Sequence, residues 1–312
     1  MKRKIGTQAV SRAAALVSGF LFVFLMGGVI AAALSIGYAR QQPITKNLTA
    51  PGSVAFDAQG NLYVVESATN QVHVFSASGA YLRSVSKLSR PTSAAVDAIG
   101  RIFIANAGRG NVEVYNGDFA LLLKLGEGND EFVAPNSVAI DLSGSIYVAD
   151  SKTDRIKVYN SDGSFNFSFG APGSQAGQFH FPTALAVDNA AQEVYVTDLV
   201  QVQTREGMAE TARIQVFTLR GVYKRSFGAY GQGEGLLTRP MGIAVNGSGK
   251  VFVTDSYQNV VLVFDKTGVF LSTIYDLANP LRNPLGIAVN DRGNLYIASL
   301  NTGKVEVYSV TE

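Results

Sequence analysis

Residues 135–169 read PNSVAIDLSGSIYVADSKTDRIKVYNSDGSFNFSF. A Pro opens a short apolar run ending in Asp141, a turn with Gly144 follows, and a second run, IYVAD, ends at Asp150. RIKVY occupies 155–159, and beyond another turn, at Gly163, comes FNFSF. Short apolar or alternating runs bounded by turn residues are the pattern of strands; a helix needs about ten residues or more. The stretch is four short strands joined by tight turns, whose positive φ Gly adopts at little cost.

The unit recurs. PGSVAFD starts at Pro51, PTSAAVD at Pro91, PTALAVD at Pro182, PMGIAVN at Pro240 and PLGIAVN at Pro284. Second strands follow as NLYVVE, RIFIAN, EVYVTD, KVFVTD and NLYIAS, and third strands end in an aromatic at Phe75, Tyr115, Tyr159, Phe217, Phe264 and Tyr308. Six units of four strands, with no room for crossover helices, predict an all-β, six-bladed β-propeller. Each first strand has Ala at its centre (Ala55, Ala95, Ala139, Ala186, Ala244, Ala288), a small side chain where blades crowd the axis. The last unit stops four residues past Tyr308, one strand short. Residues 43–49, PITKNLT, carry Ile44 and Leu48 at the spacing of the other fourth strands, so this segment is expected to close the last blade and remove open sheet edges.

The chain resembles the NHL-repeat six-bladed propellers over residues 44–312. The residues that carry the likeness are IYVAD and VYVTD, the Asp150-to-Arg155 spacing, and the connectors GAPGSQAGQFHFP and GAYGQGEGLLTRP. The resemblance implies a propeller but leaves function open, because such propellers include scaffolds, receptor sensor domains, RNA binders and a few enzymes.

Ahead of the repeats, Ala13 to Ala39 is 27 residues without a charge. As a helix it would be about 40 Å long, enough to span a bilayer. Lys2, Arg3, Lys4 and Arg12 precede it, which places the N-terminus in the cytoplasm. The expected organisation is a cytoplasmic segment 1–12, a transmembrane signal-anchor helix 13–39 and an extracytoplasmic propeller 43–312. The alternative is a cleaved signal peptide and a secreted or periplasmic protein, with Ala31, Ala33, Gly37 and Ala39 as processing residues.

The chain of 312 residues carries a net charge of +2, but five of its basic residues lie in the first forty, where there is no acid. The remainder is mildly acidic, which argues against a nucleic-acid partner. The absence of Cys excludes disulfides, thiolate metal sites and a Cys nucleophile, and two His cannot supply a three-imidazole zinc site.

Two sets of candidate residues remain. The second strands end in Glu66, Asn106, Asp150, Asp198, Asp255 and Ser299, a polar ring whose carboxylates Asp150, Asp198 and Asp255 are candidates for holding Ca²⁺ or Mg²⁺. The competing reading is that each caps its own loop or pairs with the residue opening the next strand, Arg155, Arg213 or Lys304. No cofactor beyond such a cation is expected, and no catalytic residue is assigned. His73 is expected to be a solvated strand residue.

The second set is a loop-rich face for a protein or envelope ligand. The fourth unit inserts LVQVQTREGMAETA between Asp198 and Arg213, bringing Arg205, Glu206, Met208 and Glu210, and the connectors add Phe132, His180, Phe181, Arg239 and Arg282. Aromatic and Arg side chains on long loops suit interface anchors. The reading carried forward is a non-enzymatic, membrane-anchored scaffold. The alternative, by resemblance to propeller lactonases and streptogramin lyases, is a metal-assisted hydrolase or lyase with carboxylates facing the central channel.

Overall fold

The computed structural model describes residues 36–128, 131–204 and 207–311. The expected segment 1–12 and residues 13–35 of the expected membrane helix lie outside them, as do Arg205 and Glu206. Among the described residues no helix is long and apolar enough to cross a membrane.

Six antiparallel sheets of four strands form the blades. Blade 3 is typical: Pro135–Ile140, Ile146–Asp150, Arg155–Tyr159 and Phe165–Phe169 pair in chain order, and Asp150 lies opposite both Pro135 and Arg155. Each opening Pro from blade 2 onward is the first residue of its strand, beside a bulge, where the ladder asks no N–H of it. Second strands such as Leu62–Glu66 and Val251–Asp255 are buried at every position, because a neighbouring blade covers each face.

Six apolar clusters hold the ring, one per seam. Between blades 3 and 4, for example, Tyr147, Ala149 and Val158 meet Leu185, Val194 and Phe217. The aromatics that end the third strands are buried in these seams. First strands run from one face, which carries the interblade connectors and the loops after the second strands, to the opposite face of tight turns. These are called the connector face and the turn face.

The ring closes elsewhere than at 43–49. Gly37–Arg40 is the outer strand of blade 6, paired with Lys304–Thr311, while Ile44 makes only an isolated bridge to Val305. Ile36 is buried in the seam of blades 5 and 6, and Arg40 pairs with Glu306 at 2.5 Å. Residues 41–50 are the connector to blade 1. The expected boundary at residue 39 is corrected as well: the end of the uncharged run is propeller, because its alternating exposed and half-buried strand fits the open edge of blade 6.

Candidate functional site

The first strands start at the connector face, and their opening residues surround a cavity of about 230 Å³ on the axis, lined by all six blades and by Ser67 of a connector-face loop. Its wall is two-sided. Blades 1 to 4 supply Ser53, Thr92, Ser93, Asn136, Ser137 and Thr183; blades 5 and 6 supply Met241, Gly242, Leu285 and Gly286. One residue deeper, Val54, Ala94, Val138, Leu185, Ile243 and Ile287 make an apolar ring, each almost wholly buried. Among the described residues, no charged side chain lines the cavity.

Much of the polar wall links neighbouring blades. The Thr92 hydroxyl donates to the Pro135 carbonyl at 2.9 Å, Asn136 Nδ2 to the Thr183 carbonyl at 2.7 Å, and the Thr183 hydroxyl to the Pro240 carbonyl at 3.0 Å. Conversely, Ser93 Oγ accepts from Val138 N–H at 3.3 Å and Ser137 Oγ from Leu185 N–H at 3.1 Å. Thr92 therefore keeps a lone pair to accept with and the two Ser keep hydroxyl hydrogens to donate, whereas the Thr183 hydroxyl is also engaged with that of Thr197 at 2.6 Å.

The second-strand ends do something else. Glu66 accepts the N–H groups of Thr49 and Ala50, Asp150 those of Val133 and Ala134, Asp198 those of His180 and Phe181, and Asp255 those of Thr238 and Arg239. Asn106 accepts from Ser89 N–H and Ser299 from Arg282 N–H in the same way. Each residue clamps the connector entering its own blade. Burial alone would push Glu66 up, but His73, the Thr49 and Ala50 N–H groups and the Thr69 hydroxyl bring it down to about 2. For Asp198 burial prevails and its carboxyl is raised, although His180 and Phe181 N–H and Arg213 oppose this.

This corrects the cation reading. Asp150, Asp198 and Asp255 are wholly buried, hold backbone N–H groups, and do not line the axial cavity, which offers only hydroxyl and amide oxygens among its side chains. Ca²⁺ and Mg²⁺ are held by oxygen ligands among which one or more carboxylates ordinarily offset the ion's charge. No group of three acidic or His side chains fit for a metal occurs among the described residues. The residues do not fit a divalent cation in the cavity, and no step is assigned to one.

The expected interface residues divide. His180, Phe181, Arg239 and Arg282 lie one or two residues before the first-strand Pro, at the rim of the connector face; Phe181, Arg239 and Arg282 are exposed and His180 half-buried. Phe132 is not among them. At 4 % exposure it packs on Tyr159, with Lys157 Nζ 5.0 Å from its ring centroid. The signal for this was in the repeat: three residues before each Pro stand Leu48, Leu88, Phe132, Phe179, Leu237 and Leu281, five of them buried and Leu48 packed against the seam of blades 6 and 1. Gly126 makes room for Phe132, since a Cβ there would meet its ring at 2.1 Å.

The insertion is not a loop either. Glu193–Thr204 and Gly207–Thr218 are two long strands paired as far as Thr204 with Gly207, a ribbon that prolongs the blade 4 ladder, with Met208 opposite Gln203. His73 is buried rather than solvated, 3.4 Å from Glu66 and beside the Tyr81 ring of the outer strand of blade 1.

Residues 49–275 match the profile described as the SMP-30/gluconolactonase/LRE-like region. Among solved structures, a gluconolactonase from Xanthomonas campestris superposes with a TM-score of 0.66 at 18% identity, over 89% of this chain and 91% of that one. A streptogramin B lyase gives 0.62 at 13%, over 90% and 99%. A virginiamycin B lyase from Staphylococcus aureus with quinupristin, described as catalytically inactive after a His-to-Ala change, gives 0.60 at 13%, over 88% and 85%. Curated relatives match locally: the B-box type zinc finger protein ncl-1 of Caenorhabditis elegans is 41% identical over 59 residues, 19% of this chain and 7% of that protein. The protein brain tumor of Drosophila melanogaster is 28% identical over 106 residues, 34% and 9%. The chain thus spans less than a tenth of these relatives. The profile match overturns the expectation of a non-enzymatic scaffold: it is to a family that takes its name from a lactonase, and favours the alternative drawn from the sequence.

Proposed function

The chain belongs to the SMP-30/gluconolactonase/LRE-like family, a family of six-bladed propellers, and on that premise we propose that it hydrolyses a small neutral ester or lactone held in the axial cavity. The observation that carries this reading is the two-sided, uncharged wall. A cavity without a charged lining favours a neutral ligand, since an ion would leave water without a partner. Its apolar side, Met241 and Leu285, receives carbon; its polar side receives the ester and hydroxyl groups.

Ser93 and Ser137 stand on adjacent blades with hydroxyl hydrogens to give, and donate to the ester carbonyl as negative charge grows on it. Thr92 accepts a hydrogen bond from a ligand hydroxyl, which suits a hydroxylated ring. Hydrolysis adds water across the C–O ester bond and needs no redox partner. A lyase reading is less well supported: the similar lyase loses activity with a His, whereas neither His73 nor His180 lines this cavity.

The test is proton release by the purified full-length protein in mild detergent with a panel of neutral five- and six-membered lactones. Turnover above the buffer rate is expected, with kcat/KM about a hundredfold lower in the doubly substituted Ser93→Ala, Ser137→Ala protein. No turnover of any lactone, or an unchanged kcat/KM in that variant, would remove the reading.

A further inference from the structure

The point at which the chain enters the propeller decides which way the cavity faces. Gly37–Arg40 runs antiparallel to Lys304–Thr311, with Gly37 opposite Thr311 and Arg40 opposite Tyr308. Lys304 follows the connector-face turn Leu300–Thr302, so Thr311 and Gly37 lie at the turn face. The chain preceding Ile36 therefore leaves from the face opposite the mouth of the cavity. That exit is held firmly: Ile36 is buried in a seam, the Tyr38 hydroxyl donates to the Tyr275 carbonyl at 2.8 Å, and Arg40 is paired with Glu306.

Residues 13–35 carry no charge, and a run of that length meets the roughly 20 apolar residues needed to cross a hydrocarbon core of about 30 Å. Only Ser35 separates Leu34, the last apolar residue of the run, from Ile36. At no more than about 3.6 Å per residue, the turn face is tethered within roughly 10 Å of the end of that run.

The turn face suits such a position. Ile99 and Leu142, at the tips of the turns after the first strands of blades 2 and 3, are 79% and 80% exposed. Val222 and Val269, on the turns before the outer strands of blades 4 and 5, are 62% and 59% exposed. Exposed charges there are of both signs, Arg220, Lys266 and Arg292 beside Asp118, Asp162 and Asp291, so charge does not select the lipid. The connector face also exposes apolar side chains, Leu277 and Tyr257 among them, so the chain exit and not apolarity alone distinguishes the two faces.

We infer that the turn face rests on a phospholipid bilayer, into which the uncharged N-terminal run inserts, and that the axial cavity opens away from it into the aqueous compartment. Ile99 and Leu142 reach the headgroup region, as exposed apolar tips at an interface do. The inference is independent of what the cavity binds.

The chain contains neither Trp nor Cys, so one introduced reporter is read without background. Full-length proteins carrying Ile99→Trp, Leu142→Trp or Tyr257→Trp are placed in phosphatidylcholine vesicles with brominated acyl chains. Emission from Ile99→Trp and Leu142→Trp should fall at least twofold relative to unbrominated vesicles, and that from Tyr257→Trp should not change. A Leu142→Cys protein in vesicles should label with a bulky maleimide several-fold more slowly than Tyr257→Cys, which reads the same contact without an aromatic reporter. Quenching at Tyr257→Trp, equal labelling of the two Cys variants, or failure of the full-length protein to associate with vesicles would each overturn the inference.

Discussion

Replacing Asp255 with Ala tests whether the second-strand carboxylates are clamps. Asp255 is wholly buried and accepts five hydrogen bonds. Thr238 and Arg239 N–H reach one oxygen at 2.6 and 3.0 Å, Tyr257 and Gln258 N–H the other at 3.0 Å each, and Gln258 Nε2 the first at 3.3 Å. In Asp255→Ala the loop donors Tyr257 and Gln258 can turn to water, whereas the donors of Thr238 and Arg239 lose the contact that holds the connector to the strand end. A buried donor left without a partner costs about 1–3 kcal/mol, so two connector donors predict a loss of about 4 kcal/mol. Asp255→Asn keeps one accepting oxygen and turns an NH2 toward two donors, for a loss of about 2 kcal/mol. Asp276→Ala, on an exposed connector turn, should stay within about 0.5 kcal/mol. Urea unfolding of the three variants beside the parent makes the comparison. An Asp255→Ala protein within about 1 kcal/mol of the parent would refute the clamp. So would Ca²⁺ stabilisation of the parent that Asp255→Asn abolishes, and the latter result would restore the cation site.

Glu66 sits at about 2 in the folded chain against an ordinary 4.5, so its ionised form stabilises the fold above about pH 4.5 and that contribution fades as pH falls toward 2. Urea midpoints at pH 6 and pH 3 should differ less for Glu66→Gln than for the parent; equal differences would count against the clamp in blade 1. A Cβ on Gly242 would meet the Leu285 carbonyl oxygen at 2.2 Å, so Gly242→Ala must part blades 5 and 6 and should cost about 2–3 kcal/mol by thermal melt, while Gly247→Ala, with open space around it, should cost far less. A chain starting at residue 42 lacks the Gly37–Arg40 strand and should melt below one starting at residue 36 and aggregate through the bared edge; equal melting and equal monodispersity would contradict the observed closure.

The repeat carried the fold, down to the aromatic ends of the third strands, because each blade states its strands and turns within a few residues. The same repeat also held a signal for the buried Pro−3 residue, which Phe132 shares with Phe179 and Leu237, but a Phe on a Gly-rich connector reads as exposed until its copies are aligned. The clamps were harder to read. Asp150 and its donors Val133 and Ala134 are 17 and 16 residues apart and meet only because Asp150 pairs back to Pro135.

What the sequence determined by itself was therefore local: strand after strand, six blades, and an uncharged run ahead of them. Tertiary structure decided which segment closed the ring, and it chose Gly37–Arg40 over 43–49. Apolar spacing fits both, but register against Lys304–Thr311 and the seam place for Ile36 belong to one. It also decided that the carboxylates turn to connector N–H groups and leave the axis to uncharged side chains, Ser, Thr and Asn on one side and Met241 and Leu285 on the other. Strand preference is set by neighbours along the chain; register, closure and the partner of a buried carboxylate are set by residues that approach only when the whole ring has formed.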